Sequence, residues 1–211
     1  MHSRYLSNAY LVADEQGGVA VYVDSGAPLE PLRAAAARWQ VEPRYVLRTH
    51  SHHDHVEHEA ELGLPVRTEA FEAGGLTVEA IPTPGHSDDM VAFVINGEAV
   101  FTGDTLFKDS VGGGNFEQVR HSVMDVLLGL SHRLRVLPGH TEETTLAREW
   151  EQNPFVRVWR GVEPEGTDRV RVGGQEATLV VWSPDYDGAG KAWVRFDDGR
   201  DAIVGGSRVD R

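Results

Sequence analysis

The stretch Thr49-His50-Ser51-His52-His53-Asp54-His55 puts four histidines and a carboxylate into seven consecutive residues. Ahead of it, residues 44–48 carry Tyr45, Val46 and Leu47, which read as a buried strand. A loop at the end of such a strand is held rigidly, as metal ligation requires. His50 and His52, two residues apart, can face one side and grip one ion. Asp54 and His55 then turn toward a neighbouring ion. Imidazole suits zinc, iron and related metals, and a carboxylate can join a two-metal cluster. A purification tag would sit at a terminus, whereas this stretch lies inside the chain and follows a strand.

Three later stretches add to it: Pro84-Gly85-His86, Gly103-Asp104-Thr105 and Pro138-Gly139-His140. Each sets one ligand-type side chain beside a glycine after an apolar run. Any one alone reads as a turn; together with the first loop, and in this order, they point to a metal centre.

Taken as THSHHDH (49–55), TPGHS (83–87), FTGDTLF (101–107) and LPGH (137–140), these motifs make the chain resemble the metallo-β-lactamase-fold hydrolases. Within that superfamily the resemblance is to the glyoxalase II-like (hydroxyacylglutathione hydrolase-like) branch, and it covers roughly residues 8–161. It implies an α/β fold, an αββα sandwich of two mixed sheets flanked by helices, with the site along one edge. It also implies two divalent metal ions, zinc first, with iron or manganese open. His50, His52 and His86 would hold one ion and Asp54, His55 and His140 the other, with Asp104 bridging; His53 is left without a metal. In this family an aspartate at the position of Asp24 lies under the site and orients a ligand; an ordinary strand-end turn is the alternative.

Two cations about 3.5–4 Å apart can share a water and lower its pKa from ~15.7 to about 7. A bridging hydroxide then attacks a carbonyl without a protein nucleophile, and no G-x-S-x-G elbow is present. Asp54 is the catalytic candidate, placed to orient the hydroxide and take a proton. Thr49 and Thr105 are candidate supports. The absence of cysteine excludes relatives with a cysteine ligand, and the bridging role of Asp104 sets aside those with an all-histidine arrangement. The expected activity is hydrolysis of a thioester or related acyl substrate, because a thiolate leaves with little acid assistance. Glyoxalase II enzymes bind glutathione largely through a helical C-terminal region, which this chain replaces with a β-rich one. Another acyl-thiol or a lactone is therefore as well supported as an acylglutathione. A phosphodiesterase, a mono-iron persulfide dioxygenase and a non-catalytic binding module are the remaining alternatives.

A net charge of −13 opposes nucleic-acid binding, and no basic run offsets it. The expected partner is a small-molecule substrate; oligomeric state is not legible. No apolar run approaches the roughly 20 residues of a membrane span, residues 1–4 show no apolar leader, and cysteine is absent. A cytoplasmic location is the resulting expectation.

Along the chain, residues 9–12 and 19–23 read as strands and residues 28–40 as a helix with Leu29, Leu32, Ala36 and Trp39 on its apolar stripe. A short helix is expected over 56–62 with a solvated His58. A strand over 76–81 and an Asn96-Gly97 hairpin follow, the latter with the positive φ angles of a tight two-residue turn. Gly112-Gly113-Gly114 predicts a mobile flap or linker, and residues 116–130 a helix with His121 and His132 exposed near it. Thr141 or Thr144 is expected to cap a helix running toward Asn153, stopped by Pro154. Residues 1–161 form the expected catalytic domain. Residues 162–211, with short strands and glycine turns, read as a small SH3-like barrel. Asp185-Tyr186-Asp187-Gly188 reads as a turn, because it lacks the further oxygens of a calcium loop.

Overall fold

The computed structural model describes Met1 and residues 5–210; the His2-Ser3-Arg4 stretch read for a leader lies outside the described residues. Two mixed sheets form the centre. The first holds β1 (Tyr10–Ala13), β2 (Val19–Val23), β3 (Glu42–Leu47) and β4 (Val66–Arg67) in that order. The second runs β12 (Thr144–Thr145), β11 (Arg135–Pro138), β8 (Ala99–Gly103), β7 (Val91–Ile95), β6 (Leu76–Pro82) and β5 (Phe71–Ala73). Between them lies a core of Val21, Val23, Leu47, Leu76, Val78, Phe93, Ile95 and Phe101.

Every residue of β2 is buried, which explains its unbroken apolar sequence. One of its faces meets the opposite sheet, and Ala20 on the other meets Ala36 of α1 (Glu30–Trp39). Trp39, read as core, is 38% exposed at the end of that helix. The helix stripe stops one turn earlier, at Ala36, because Gln40 takes a left-handed φ of 57° and turns the chain away. The β7–β8 hairpin has Asn96 and Gly97 at φ 53° and 64°, as expected. Ile95 pairs with Ala99, however, so three residues separate the paired positions.

The outer face of the second sheet is covered by α4 (Phe116–His121), its continuation over Ser122–Leu127 as a π-helix, α5 (Leu146–Gln152) and α6 (Pro154–Trp159). The expected continuous helix over 116–130 thus changes pitch. The wider turn lets Leu127 and Leu128 both be buried. His121 is exposed, but His132 is half-buried, bonded to the Leu128 carbonyl at 3.1 Å and packed on Trp150. Thr145, not Thr141 or Thr144, caps α5. Pro154 ends that helix and opens the next, whose cap is Asn153.

The glycine run, expected as a mobile flap or linker, is bonded to neighbouring segments. It follows the short hairpin of β9 (Leu106–Phe107) and β10 (Ser110–Val111). Gly112 N–H donates to Thr105 O at 3.2 Å and Asn115 N–H to Gly85 O at 2.9 Å. Gly114 also bridges to Ile203 in the C-terminal sheet. That sheet is antiparallel, in the order β16 (Asp201–Gly205), β15 (Lys191–Phe196), β14 (Gln175–Ser183), β13 (Asp168–Val172) and β17 (Val209–Asp210). One face carries its own small core around Val170, Ala192 and Val194. Val180, Val181, Trp193 and Ile203 join the large core under the helices, where Phe116 and Trp193 lie 4.9 Å apart.

Candidate metal centre

β2 and β3 run parallel, and so do β8 and β11. β6 shares their direction, being antiparallel to β7, which is antiparallel to β8. The turns after β2, β3, β6, β8 and β11 therefore open on one edge of the sandwich, bringing Asp24, the 50–55 loop, His86, Asp104 and His140 together. Backbone bonds tie these turns to one another: Val91 N–H donates to Thr49 O (2.8 Å), Gly139 N–H to Gly103 O (2.8 Å) and Ser25 N–H to His55 O (2.8 Å).

All seven sequence candidates converge. Three overlapping groups have ligand atoms within 4.8 Å of one another: His50, His52 and His86; His50, His55 and Asp104; Asp54, His55 and His140. His52 Nδ1 lies 3.1 Å from His50 Nε2 and 2.9 Å from His86 Nε2. On the other side, His140 Nε2 is 3.5 Å from Asp54 Oδ2 and 3.4 Å from Asp104 Oδ2. Asp104 sits between the two groups, its Oδ2 also 3.5 Å from His86 Nε2 and its Oδ1 3.3 Å from His55 Nε2. His53 points outward, 3.8 Å from Glu57, and the partly exposed His58 bonds Glu61. The expected helix over 56–62 is two short turns, α2 (His53–Val56) and α3 (Glu59–Leu62); the first already includes Asp54 and His55.

The protein fixes which ring nitrogens face inward. Asp24 accepts from Thr49 N–H, from the Thr49 hydroxyl and from His55 Nδ1–H, each at 2.8 Å. With its proton committed to Asp24, Thr49 Oγ1 can only accept from His50 Nδ1–H at 3.0 Å. His86 Nδ1–H donates to the Gly113 carbonyl at 2.8 Å. In each of these three imidazoles Nε2 is thus the nitrogen left to face the interior, the arrangement by which outer partners orient metal ligands. The hydroxyl of Thr105, the other candidate support, donates to Thr83. Asp24 fulfils the orienting alternative rather than the plain turn. The Gly113 carbonyl went unrecognised, because a backbone acceptor leaves no mark in sequence.

Burial pushes His50 down to about 3 despite Asp104, and lowers His86. His55 goes the other way: burial opposes its charge, but Asp104 and Asp24 overcome it and drive the pKa up to about 11. Burial also opposes ionisation of Asp104, yet His55 and His140 hold it well below the usual carboxylate range. The two buried carboxylates thus favour positive charge at His55. His55 Nε2 and Asp104 Oδ1, 3.3 Å apart, and His140 Nδ1 are nevertheless buried without a well-formed hydrogen bond. Such atoms are costly, and a nitrogen–carboxylate donor set suits divalent cations; the residues fit the metals that the motifs imply.

Tyr186, from the turn after β14, was not foreseen as a site residue. Its ring stacks on the imidazole of His140, with centroids 3.8 Å apart and planes 8° apart.

An αββα sandwich with convergent histidine and aspartate groups on one edge defines a metallo-hydrolase scaffold. No family model matches the sequence. An uncharacterized protein of Mycobacterium leprae is 30% identical, the match covering 71% of this chain and 93% of that one. A probable polyketide biosynthesis zinc-dependent hydrolase of Bacillus velezensis is 25% identical, over 66% and 75%. Among solved structures, a B3 metallo-β-lactamase, BLEG-1, superposes with a TM-score of 0.67 at 25% identity, over 74% of this chain and 96% of that one. ETHE1 from Myxococcus xanthus gives 0.65 at 28%, over 74% and 82%. A protein solved in a di-iron-bound form gives 0.61 at 32%, over 74% and 98%. The chain belongs to the metallo-β-lactamase superfamily.

Proposed function

We propose that the protein is a two-metal hydrolase of the glyoxalase II-like kind, acting on a thioester or a related acyl substrate. The observation that carries this reading is the placement of Asp104, within 3.5 Å of a histidine nitrogen from each of the two ligand groups. We assign His50, His52 and His86 to one ion, Asp54, His55 and His140 to the other, and Asp104 to both, with zinc as first choice. When bound, such a pair supplies an acidified water and a positive charge facing a carbonyl oxygen. Asp54 is less buried than Asp104, with a fifth of its side chain exposed. It is the carboxylate that can reach a substrate-side proton and pass it to the leaving group. Asp24 and Thr49 keep His55 and His50 oriented throughout. Residues 1–161 would form the catalytic domain. Residues 162–211 would form an SH3-like appendage, a reading supported by the return of β17 to pair with β13 after a 3-10 turn at Gly206–Arg208.

A second reading, a single iron with oxygen chemistry, is favoured by the close pairing of His86 with Asp104, a half-site able to hold one ion. Among the described residues no helix is long and apolar enough to cross a membrane; we keep the cytoplasm as the proposed location. The test is metal quantitation on purified protein together with a panel of thioesters, lactones, phosphodiesters and β-lactams. Asp54→Asn is expected to retain the fold and lose at least about 100-fold in turnover, the usual range for a proton-transferring group. Unchanged hydrolysis in that variant removes Asp54 from the mechanism. One iron per chain with oxygen consumption replaces the hydrolase reading by the second.

A further inference from the structure

Beside the metal centre lies a cleft of about 330 Å³, lined by Leu6, Lys108, Thr141, Glu142, Pro184 and Tyr186 among others. That volume is at the small end of ligand pockets, which run from about 300 to 1,000 Å³. Two of its walls adjoin the metal centre. Thr141 follows His140 in the chain, and Tyr186 lies flat on the His140 ring, with Phe107 edge-on at 6.3 Å. The turn that carries Tyr186 is pinned by a largely buried ion pair, Lys191 Nζ to Asp185 Oδ2 at 2.9 Å.

The charged side chains of these walls are already paired. Lys108 meets Glu142 at 2.5 Å, Asp109 takes both terminal nitrogens of Arg148 at 2.8 and 3.0 Å, and Asp185 holds Lys191. Among the described side chains of these walls, none is left over to bind a carboxylate or phosphate. An anionic group seated here would lie beside three carboxylates, Asp109, Glu142 and Asp185, with the cations nearby already shared with them. What remains is the apolar surface of Leu6, Pro184 and the part of the Tyr186 ring that His140 does not cover.

We infer that this cleft takes the acyl side of the substrate, that the group it accepts is an uncharged alkyl or aryl chain, and that Tyr186 is the specificity-determining residue where chain and metal centre meet. The inference rests on the hydrolase reading above and narrows its substrate to neutral acyl groups. It also gives the C-terminal segment a task, since Tyr186, Pro184 and the Lys191–Asp185 pin all come from it. The same alkyl acyl group can arrive on a thioester or in a lactone, so both are tested.

The experiment uses the full-length, metal-loaded protein with acyl thioesters of one fixed leaving thiol, from acetyl to decanoyl. A matched series of dicarboxylic half-thioesters and a series of alkyl-substituted lactones complete it. The variants are Leu6→Trp, which fills the cleft, Tyr186→Ala, and Tyr186→Phe, which keeps the ring. A non-hydrolysable octyl ketone analogue is titrated calorimetrically into each protein. For the wild type, kcat/KM should rise at least tenfold from acetyl to octanoyl and fall at least tenfold on adding a terminal carboxylate. Leu6→Trp and Tyr186→Ala should abolish the rise, mainly through KM, weaken the analogue at least tenfold, and leave metal content unchanged. Tyr186→Phe should behave as wild type. Whichever of the thioester and lactone series shows the rise identifies the source of the acyl group. Hydrolysis without length preference, or analogue affinity indifferent to Leu6→Trp, overturns the cleft assignment and leaves the hydrolase reading standing. No turnover of any substrate by metal-replete protein counts against the hydrolase reading, while the analogue titration still tests the cleft on its own.

Discussion

Asp24 accepts three hydrogen bonds from groups that orient metal ligands, and does so from a left-handed backbone with φ 55°. A non-glycine residue in that conformation costs of order 1–3 kcal/mol and persists where the surroundings fix it. Replacing it with alanine frees both the Thr49 hydroxyl and His55 Nδ1. Asp24→Ala is therefore expected to weaken metal binding by about 10–100-fold, measured by competition with a chromogenic chelator. Unchanged affinity would mean that the ring orientation is set elsewhere. Gly26 works at the same scale by having no side chain: a Cβ there would lie 1.5 Å from the Asp54 carbonyl oxygen. Gly26→Ala should destabilise the fold by about 3 kcal/mol or more in urea titration. The histidines and Asp104 were legible because ligand chemistry limits which residues can serve, and the motifs fix their order. Tyr186 was not, because a tyrosine between two aspartates looks like any turn until the strands place it on His140.

Asn153 shows what an element boundary can hold. Fully buried, it caps α6 through the Phe155 and Val156 amides and donates to the Ser110 carbonyl and to Glu149, each at 3.0 Å. It thereby joins two helices to the β9–β10 hairpin. Asn153→Ala should cost about 2 kcal/mol, from one cap and at least one buried bond; a loss below about 0.5 kcal/mol would show those bonds to be replaceable. The Asn-Pro pair hinted at a boundary in sequence, but not that Pro154 starts a helix as well as ending one. Strands were the more legible elements, because Val, Tyr and Ile runs bounded by glycine are local signals. The π-helical turn and the strapped glycines were not. Their conformations are set by partners far along the chain, such as Gly85 and Ile203.

At the scale of the whole molecule, residues 162–210 were legible as β-rich but not as part of the main core. Val180, Val181, Trp193 and Ile203 lie in one apolar cluster with α4, α5 and α6. Truncation after Gly161 should therefore expose that cluster and yield aggregated or unfolded chain; a monomeric, active 1–161 fragment would contradict the packing. Metal should also contribute to stability, since an ion that binds only the folded chain stabilises it by mass action. Chelation is expected to lower Tm by several degrees, reversed on adding zinc. The most direct measurement is the metal stoichiometry of the purified protein and of two variants, His86→Ala and His140→Ala, one from each ligand group. About two equivalents in the wild type and about one in each variant are expected. Trace metal in all three proteins after growth and dialysis with added zinc, or the same content in the variants as in the wild type, would contradict a paired centre.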